Sequence, residues 1–105
     1  MQKITFEEII NRIREVHKKF PRKYDRKTEV INLLEEVGEL ANAVLVDSGD
    51  KPEKRRRAQL KDSFADILFA LTATADAFDV DLEEELLKTL NEIEDRQNKK
   101  EYEDD

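Results

Sequence analysis

An all-α fold, a small four-helix bundle, is what this sequence predicts, and three observations carry it. Only 2 of the 105 residues are Gly and 2 are Pro, too few for the turns a sheet requires. Apolar residues recur three and four apart in four separate segments, the spacing of one helix face. Capping residues stand ahead of these segments. Charged residues make up 43% of the chain and apolar ones 38%, which suits helices with wide solvated faces. The length corresponds to one domain, placed at residues 1–100. The acidic tail 101–105 is too polar to pack and is expected to be disordered. So short a chain buries a limited core alone, so a homo-dimer or tetramer is expected.

The first helix opens at Thr5, with Glu8 three residues on as a capping box. Phe6, Ile9, Ile10, Ile13 and Val16 form its apolar face, and it ends near Phe20-Pro21. Asp25 or Thr28 caps the second helix, which runs to about Val46 on a stripe of Val30, Leu33, Leu34, Val37, Leu40, Ala41, Val44 and Leu45. Residues 47–52 form a loop, with Pro52 suited to the first turn of a third helix that reaches about Phe78. Asp81 caps the fourth helix. Its first turn holds Glu83, Glu84 and Glu85, as the helix dipole favours, and its stripe is Leu82, Leu86, Leu87, Leu90 and Ile93.

Composition also narrows function. With no Cys, disulfides, thiolate metal sites and cysteine nucleophiles are excluded. The N-terminus has no signal-peptide apolar core, and no run approaches the ~20 apolar residues of a membrane span, so a cytoplasmic protein without membrane contact is expected. The net charge of -7 argues against non-specific nucleic-acid binding, since a phosphate backbone is repelled.

Two acidic clusters carry the chemistry: Glu35-Glu36-Val37-Gly38-Glu39 and Asp62-Ser63-Phe64-Ala65-Asp66. Glu36 and Glu39 are three apart and share a face, bordering the apolar stripe; Glu35 is offset from Glu36 by about 100° and flanks it. Asp62 and Asp66, four apart, share a face of the third helix. If these helices pack antiparallel, the acidic pairs meet, and carboxylates so gathered repel one another unless protonated or bound to a cation. Oxygen ligands without Cys or His favour Mg²⁺ or Mn²⁺ over Zn²⁺. The alternative is ordinary exposed charge on amphipathic helices. Gly38, costly in a helix interior, suggests close approach of a backbone or ligand.

Residues 33–41, Leu-Leu-Glu-Glu-Val-Gly-Glu-Leu-Ala, followed by residues 64–71, Phe-Ala-Asp-Ile-Leu-Phe-Ala-Leu, resemble the MazG family of all-α nucleoside triphosphate pyrophosphohydrolases. Its signature is E-E-x-x-E, a spacer, then E-x-x-D. The resemblance covers roughly residues 28–97 and implies a four-helix MazG-like bundle. It implies that Glu36, Glu39 and Asp66 bind Mg²⁺ (Mn²⁺ as a substitute), with Glu35 in support and Glu39 or Glu35 taking the proton of an attacking water. The implied reaction splits a (deoxy)nucleoside triphosphate into monophosphate and pyrophosphate. Lys88 and Asn91, with Arg96 beyond, are the implied substrate contacts on the last helix. Ser63 stands where the family carries Glu. Asp62 then becomes the substitute metal ligand, about 40° from Asp66 around the helix axis, and Ser63 at best a weak neutral one. The departure keeps a second reading open, a catalytically weak or inactive module that binds nucleotide or metal. A third is a helical assembly module without a ligand.

The basic residues between Lys18 and Lys27, and Arg55 to Arg57, are either solvated or contact phosphates. His17, the only histidine, is expected to be structural. Phe20 and Tyr24 are expected to pack in the core rather than stack on a base.

Overall fold

A computed structural model describes residues 3–49 and 56–103, and of 56–58 and 101–103 the backbone alone. The order is α1 (Phe6–Lys19), α2 (Arg26–Asp47), α3 (Arg56–Ala77) and α4 (Leu82–Glu103), with no strand among the described residues. The fold is all-α, as the periodicity predicts. Capping also follows the sequence. Thr5 Oγ1 accepts from the Glu8 amide at 3.1 Å, Asp25 Oδ1 from the Thr28 amide at 2.7 Å, and Asp81 Oδ1 from the Glu84 amide at 3.1 Å. Each satisfies one of the orphan donors of a helix start. The placement of Pro52 lies outside the described residues. The tail expectation meets them in part: the backbone of 101–103 continues α4, and 104 and 105 lie outside.

α2 and α3 form an antiparallel hairpin. Thr74 Oγ1 donates to the Glu29 carbonyl at 3.3 Å near one end, and Asn42, Ala43 and Gln59 come together near the other. Small residues let the two axes approach: Ala43, Ala70, Ala73, Ala75, Ser63 and Thr72 are buried. Thr72 and Ser63 turn their hydroxyls onto the carbonyls of Leu68 and Gln59, which satisfies them without a partner outside the helix. Among the described residues, Ile10 and Val46 are the large apolar side chains wholly removed from water, each contributing about 1.5–3 kcal/mol.

α3 touches each of the other helices. Arg14 of α1 ties three of them together: its guanidinium makes a paired contact with Glu83 of α4 (3.0 and 2.8 Å) and another with Asp76 of α3 (3.2 Å). These carboxylates hold the Arg14 pKa above its ordinary value, with Glu83 the larger influence, and the Arg14 hydrogen bond holds the Glu83 carboxyl low. His17 packs its ring on Phe69 at 4.2 Å, with Nε2 3.3 Å from the Phe69 carbonyl oxygen. α3 ends in a left-handed residue, Asp79 (φ 56°), with amide bonds from Val80 to Ala75 (2.9 Å) and from Asp79 to Asp76 (3.1 Å), a Schellman ending.

Three expectations about the core need correction. Most of the α2 stripe is not buried in the single chain: Val30, Leu34, Val37, Val44 and Leu45 are exposed, while Glu29, Ala43 and Val46 face α3. The α4 stripe is likewise open, with Leu86, Leu87, Leu90 and Ile93 exposed. The physical reason is that, among the described residues, α2 packs mainly against α3, and the tie of α4 to Arg14 lies at Glu83 in its first turn. Phe20 and Tyr24 are also outside the core, covered in part by cations: Lys19 Nζ lies 5.7 Å from the Phe20 ring and the Arg22 guanidinium 5.0 Å from the Tyr24 ring.

Candidate functional site

The antiparallel register sets the second half of the α2 acidic motif against Asp66. Glu36 and Glu39 from α2 and Asp66 from α3 each bring a carboxylate oxygen within 4.8 Å of the others. The helical spacing of Glu36 and Glu39 supplies two of these on one face, and α3 supplies the third across the interface. Glu36 is half-buried, whereas Glu39 and Asp66 are exposed. Burial pushes the Glu36 carboxyl above its ordinary value, and the negative charges of Glu39, Asp66 and Glu35 push it further. A site that disfavours its own charge in this way is one a cation would relieve.

The donor set suits a hard divalent cation: carboxylate oxygens, with no sulfur or imidazole among them. Glu36, Glu39 and Asp66 could therefore hold Mg²⁺ or Mn²⁺. Glu39 and Asp66, but not Glu36, line an open groove of about 650 Å³ together with Glu35, Gly38, Asn42, Ala43, Gln59, Asp62 and Ser63.

The remaining candidates divide. Glu35 lines the groove from the flank. Asp62 lines it too but is not one of the three carboxylates that converge. Ser63 is buried, its hydroxyl donating to the Gln59 carbonyl at 2.8 Å. Lys88, Asn91 and Arg96 are exposed on α4, and none lines the groove within one chain; Arg96 Nε donates to the Glu92 carbonyl at 3.4 Å. Of the first-loop cations, Arg22 pairs with buried Glu29 at 3.3 Å, and Arg26 lies 3.8 Å from Asp79. The side chains of Arg55 to Arg57 lie outside the described residues. Nothing comes within 4 Å of a Cβ built at Gly38, so the close approach expected there is not made by this chain; the glycine forms groove wall.

Asn42 and Gln59 belong to the groove and were not among the sequence candidates. Their signal lies in the spacing: Asn42 is three residues after Glu39 and Gln59 three before Asp62, so each extends an acidic face by one turn.

Neither family models nor curated protein sequences give a match to this chain. Among the described residues, no helix is long and apolar enough to cross a membrane.

Proposed function

We propose that this chain is a MazG-like, Mg²⁺-dependent nucleotide pyrophosphohydrolase, converting a (deoxy)nucleoside triphosphate to monophosphate and pyrophosphate in the cytoplasm as a homo-dimer or tetramer. The observation that carries the reading is the meeting of Glu36, Glu39 and Asp66, three carboxylate oxygens from two helices within 4.8 Å. A bound Mg²⁺ would offset the charge of the triphosphate oxygens and make a nearby water more acidic.

The chain's own groups do the rest. Glu36, the most buried of the three, anchors the cation. Glu39 and Asp66 hold it from the exposed side. Glu39 or Glu35, both on the groove wall, accepts the proton of the attacking water. The groove leaves room for a polyphosphate between the hairpin's acidic edges. Lys88, Asn91 and Arg96 contact the substrate from the α4 of a neighbouring copy, because in a single chain they stand away from the groove.

One observation favours a second reading, a module that binds nucleotide or metal without turnover. Ser63 spends its hydroxyl on the Gln59 carbonyl, and Asp62 is not in the converging set, so three carboxylates stand where the family motif offers four. Pyrophosphate release from a panel of ribo- and deoxynucleoside triphosphates, with Mg²⁺ and with Mn²⁺, separates the two. The hydrolase releases pyrophosphate only with metal and loses this in Glu39→Ala. Metal-dependent nucleotide binding without release, from folded protein, selects the module.

A further inference from the structure

Charge is segregated in this chain. Residues 18–27 hold Lys18, Lys19, Arg22, Lys23, Arg26 and Lys27 against the single acid Asp25, a net +5, while the rest of the chain carries -12. The fold gathers this segment at one end of the molecule, where the last turn of α1 and the first turn of α2 stand beside the end of α3. The acids there are already engaged: Asp25 caps α2 through the Thr28 amide, buried Glu29 takes Arg22, and Asp79 takes Arg26. Lys18, Lys19, Lys23 and Lys27 are exposed, and among the described residues no ion pair holds them. The dipole of α1 accounts for Lys18 and Lys19 at its negative end, but Arg26 and Lys27 occupy the positive end of α2, where cations are disfavoured. Three aromatic rings stand open among these cations: Phe20 (65% exposed), Phe78 (46%) and Tyr24 (42%). Each has a cation over it, Lys19 at 5.7 Å, Arg26 at 5.6 Å and Arg22 at 5.0 Å respectively.

We infer that this end of the molecule binds single-stranded nucleic acid. Phosphates follow the lysines, and unpaired bases stack on the open rings, which accept any base because every base has a π-face. A phosphate beside Lys27 also relieves the cost of a cation at a positive helix end. The net charge of -7 opposes binding by the chain as a whole, but it is a sum over two unlike regions and does not describe this end. A flexible strand can keep to the basic segment. A duplex cannot: it is rigid, its bases are already stacked on one another, and its charge meets the acidic remainder of the chain. A flat anionic lipid surface would likewise press on Asp79, whose side chain is 90% exposed beside Arg26. None of these residues lines the acidic groove, so the two surfaces are separate.

The inference goes beyond the nucleotide chemistry proposed above and does not depend on it. Fluorescence anisotropy of a labelled oligouridine of about 12 nucleotides, titrated with the full chain in chelator, tests it. Binding is expected at low salt, and log affinity is expected to fall against log salt with a slope of about -3 if each of the four lysines meets a phosphate. Lys23→Ala with Lys27→Ala should flatten that slope by about half. Phe20→Ala, at a largely open position, should leave the slope alone and weaken binding about tenfold, the loss of one stacked base. Lys99→Ala with Lys100→Ala removes the same charge from exposed positions late in α4 and should change neither. Helical circular dichroism confirms that each variant is folded. A wild type that binds no oligouridine at low salt overturns the inference, as does a duplex of the same length bound as tightly. So does a slope untouched by the Lys23 and Lys27 pair, an equal loss with the α4 lysines, or affinity indifferent to Phe20→Ala. Anionic vesicles bound where oligouridine is not would overturn it by giving the surface to a membrane.

Discussion

Glu36 has its charge opposed both by burial and by three neighbouring acids, and that fixes the sign of two expectations. Its folded-state pKa lies above the ordinary 4.5, so the folded chain retains a proton that the unfolded chain releases. The stability this gives is complete below 4.5 and is lost as pH rises through the raised value. In chelator, Glu36→Gln should therefore melt with the wild type in acid and above it at neutral pH; a constant offset across pH would contradict the assignment. Glu83 acts in the opposite sense. Its carboxyl is held low by Arg14, so its contribution is present above 4.5 and fades as acid passes its lowered value. Titrating with Mg²⁺ gives the second expectation. If Glu36, Glu39 and Asp66 bind the ion, saturation at a hundred times the dissociation constant stabilises the wild type by about 2.7 kcal/mol, and Glu36→Gln loses most of that gain in a melting experiment.

At the scale of helices, boundaries were legible because they are set by local chemistry. Thr5, Asp25 and Asp81 each cap the helix that their side chains suggest, and the acidic faces of α2 and α3 meet because i, i+3 and i, i+4 spacing fixes them before any packing occurs. What could not be read were choices made between helices. The periodic stripe of α2 was visible, but whether Leu34 or Ala43 faces α3 depends on how closely the axes approach, which the alanines of α3 decide. The Arg14 clamp joins residues 62 and 69 positions apart in the chain, a separation that leaves no local signature. Two substitutions test the element-level account. Asp79 occupies a left-handed position that costs a side chain about 1 kcal/mol, and its partner Arg26 is exposed at 3.8 Å, so Asp79→Gly should raise stability by up to that amount in denaturant unfolding. Gly38→Ala meets nothing within 4 Å and should add about 0.5–1 kcal/mol, while a fall in nucleotide affinity in the same variant would place substrate against that wall.

For the whole molecule, the imbalance between covered and uncovered apolar surface decides how stability should behave. Among the described residues, Ile10 and Val46 are the large apolar side chains fully buried, against exposed Leu, Ile, Val and Phe on α2, α3 and α4. A core of that size barely offsets the chain entropy of 105 residues. If copies associate as proposed, folding is coupled to association, and the melting temperature is expected to depend on concentration. For a dimer that unfolds as it dissociates, each tenfold dilution removes about 1.4 kcal/mol per dimer. With the usual unfolding entropy per residue summed over two chains, this lowers the melting temperature by about 3 °C. Calorimetry over two decades of concentration would show the slope. The same series on Leu34→Glu, a charge set into the exposed stripe of α2, should be flat and lie lower throughout if a second copy covers that stripe. A wild type that melts at one temperature at every dilution would mean that the four helices hold themselves together unaided, and that the exposed stripe of α2 has some other use.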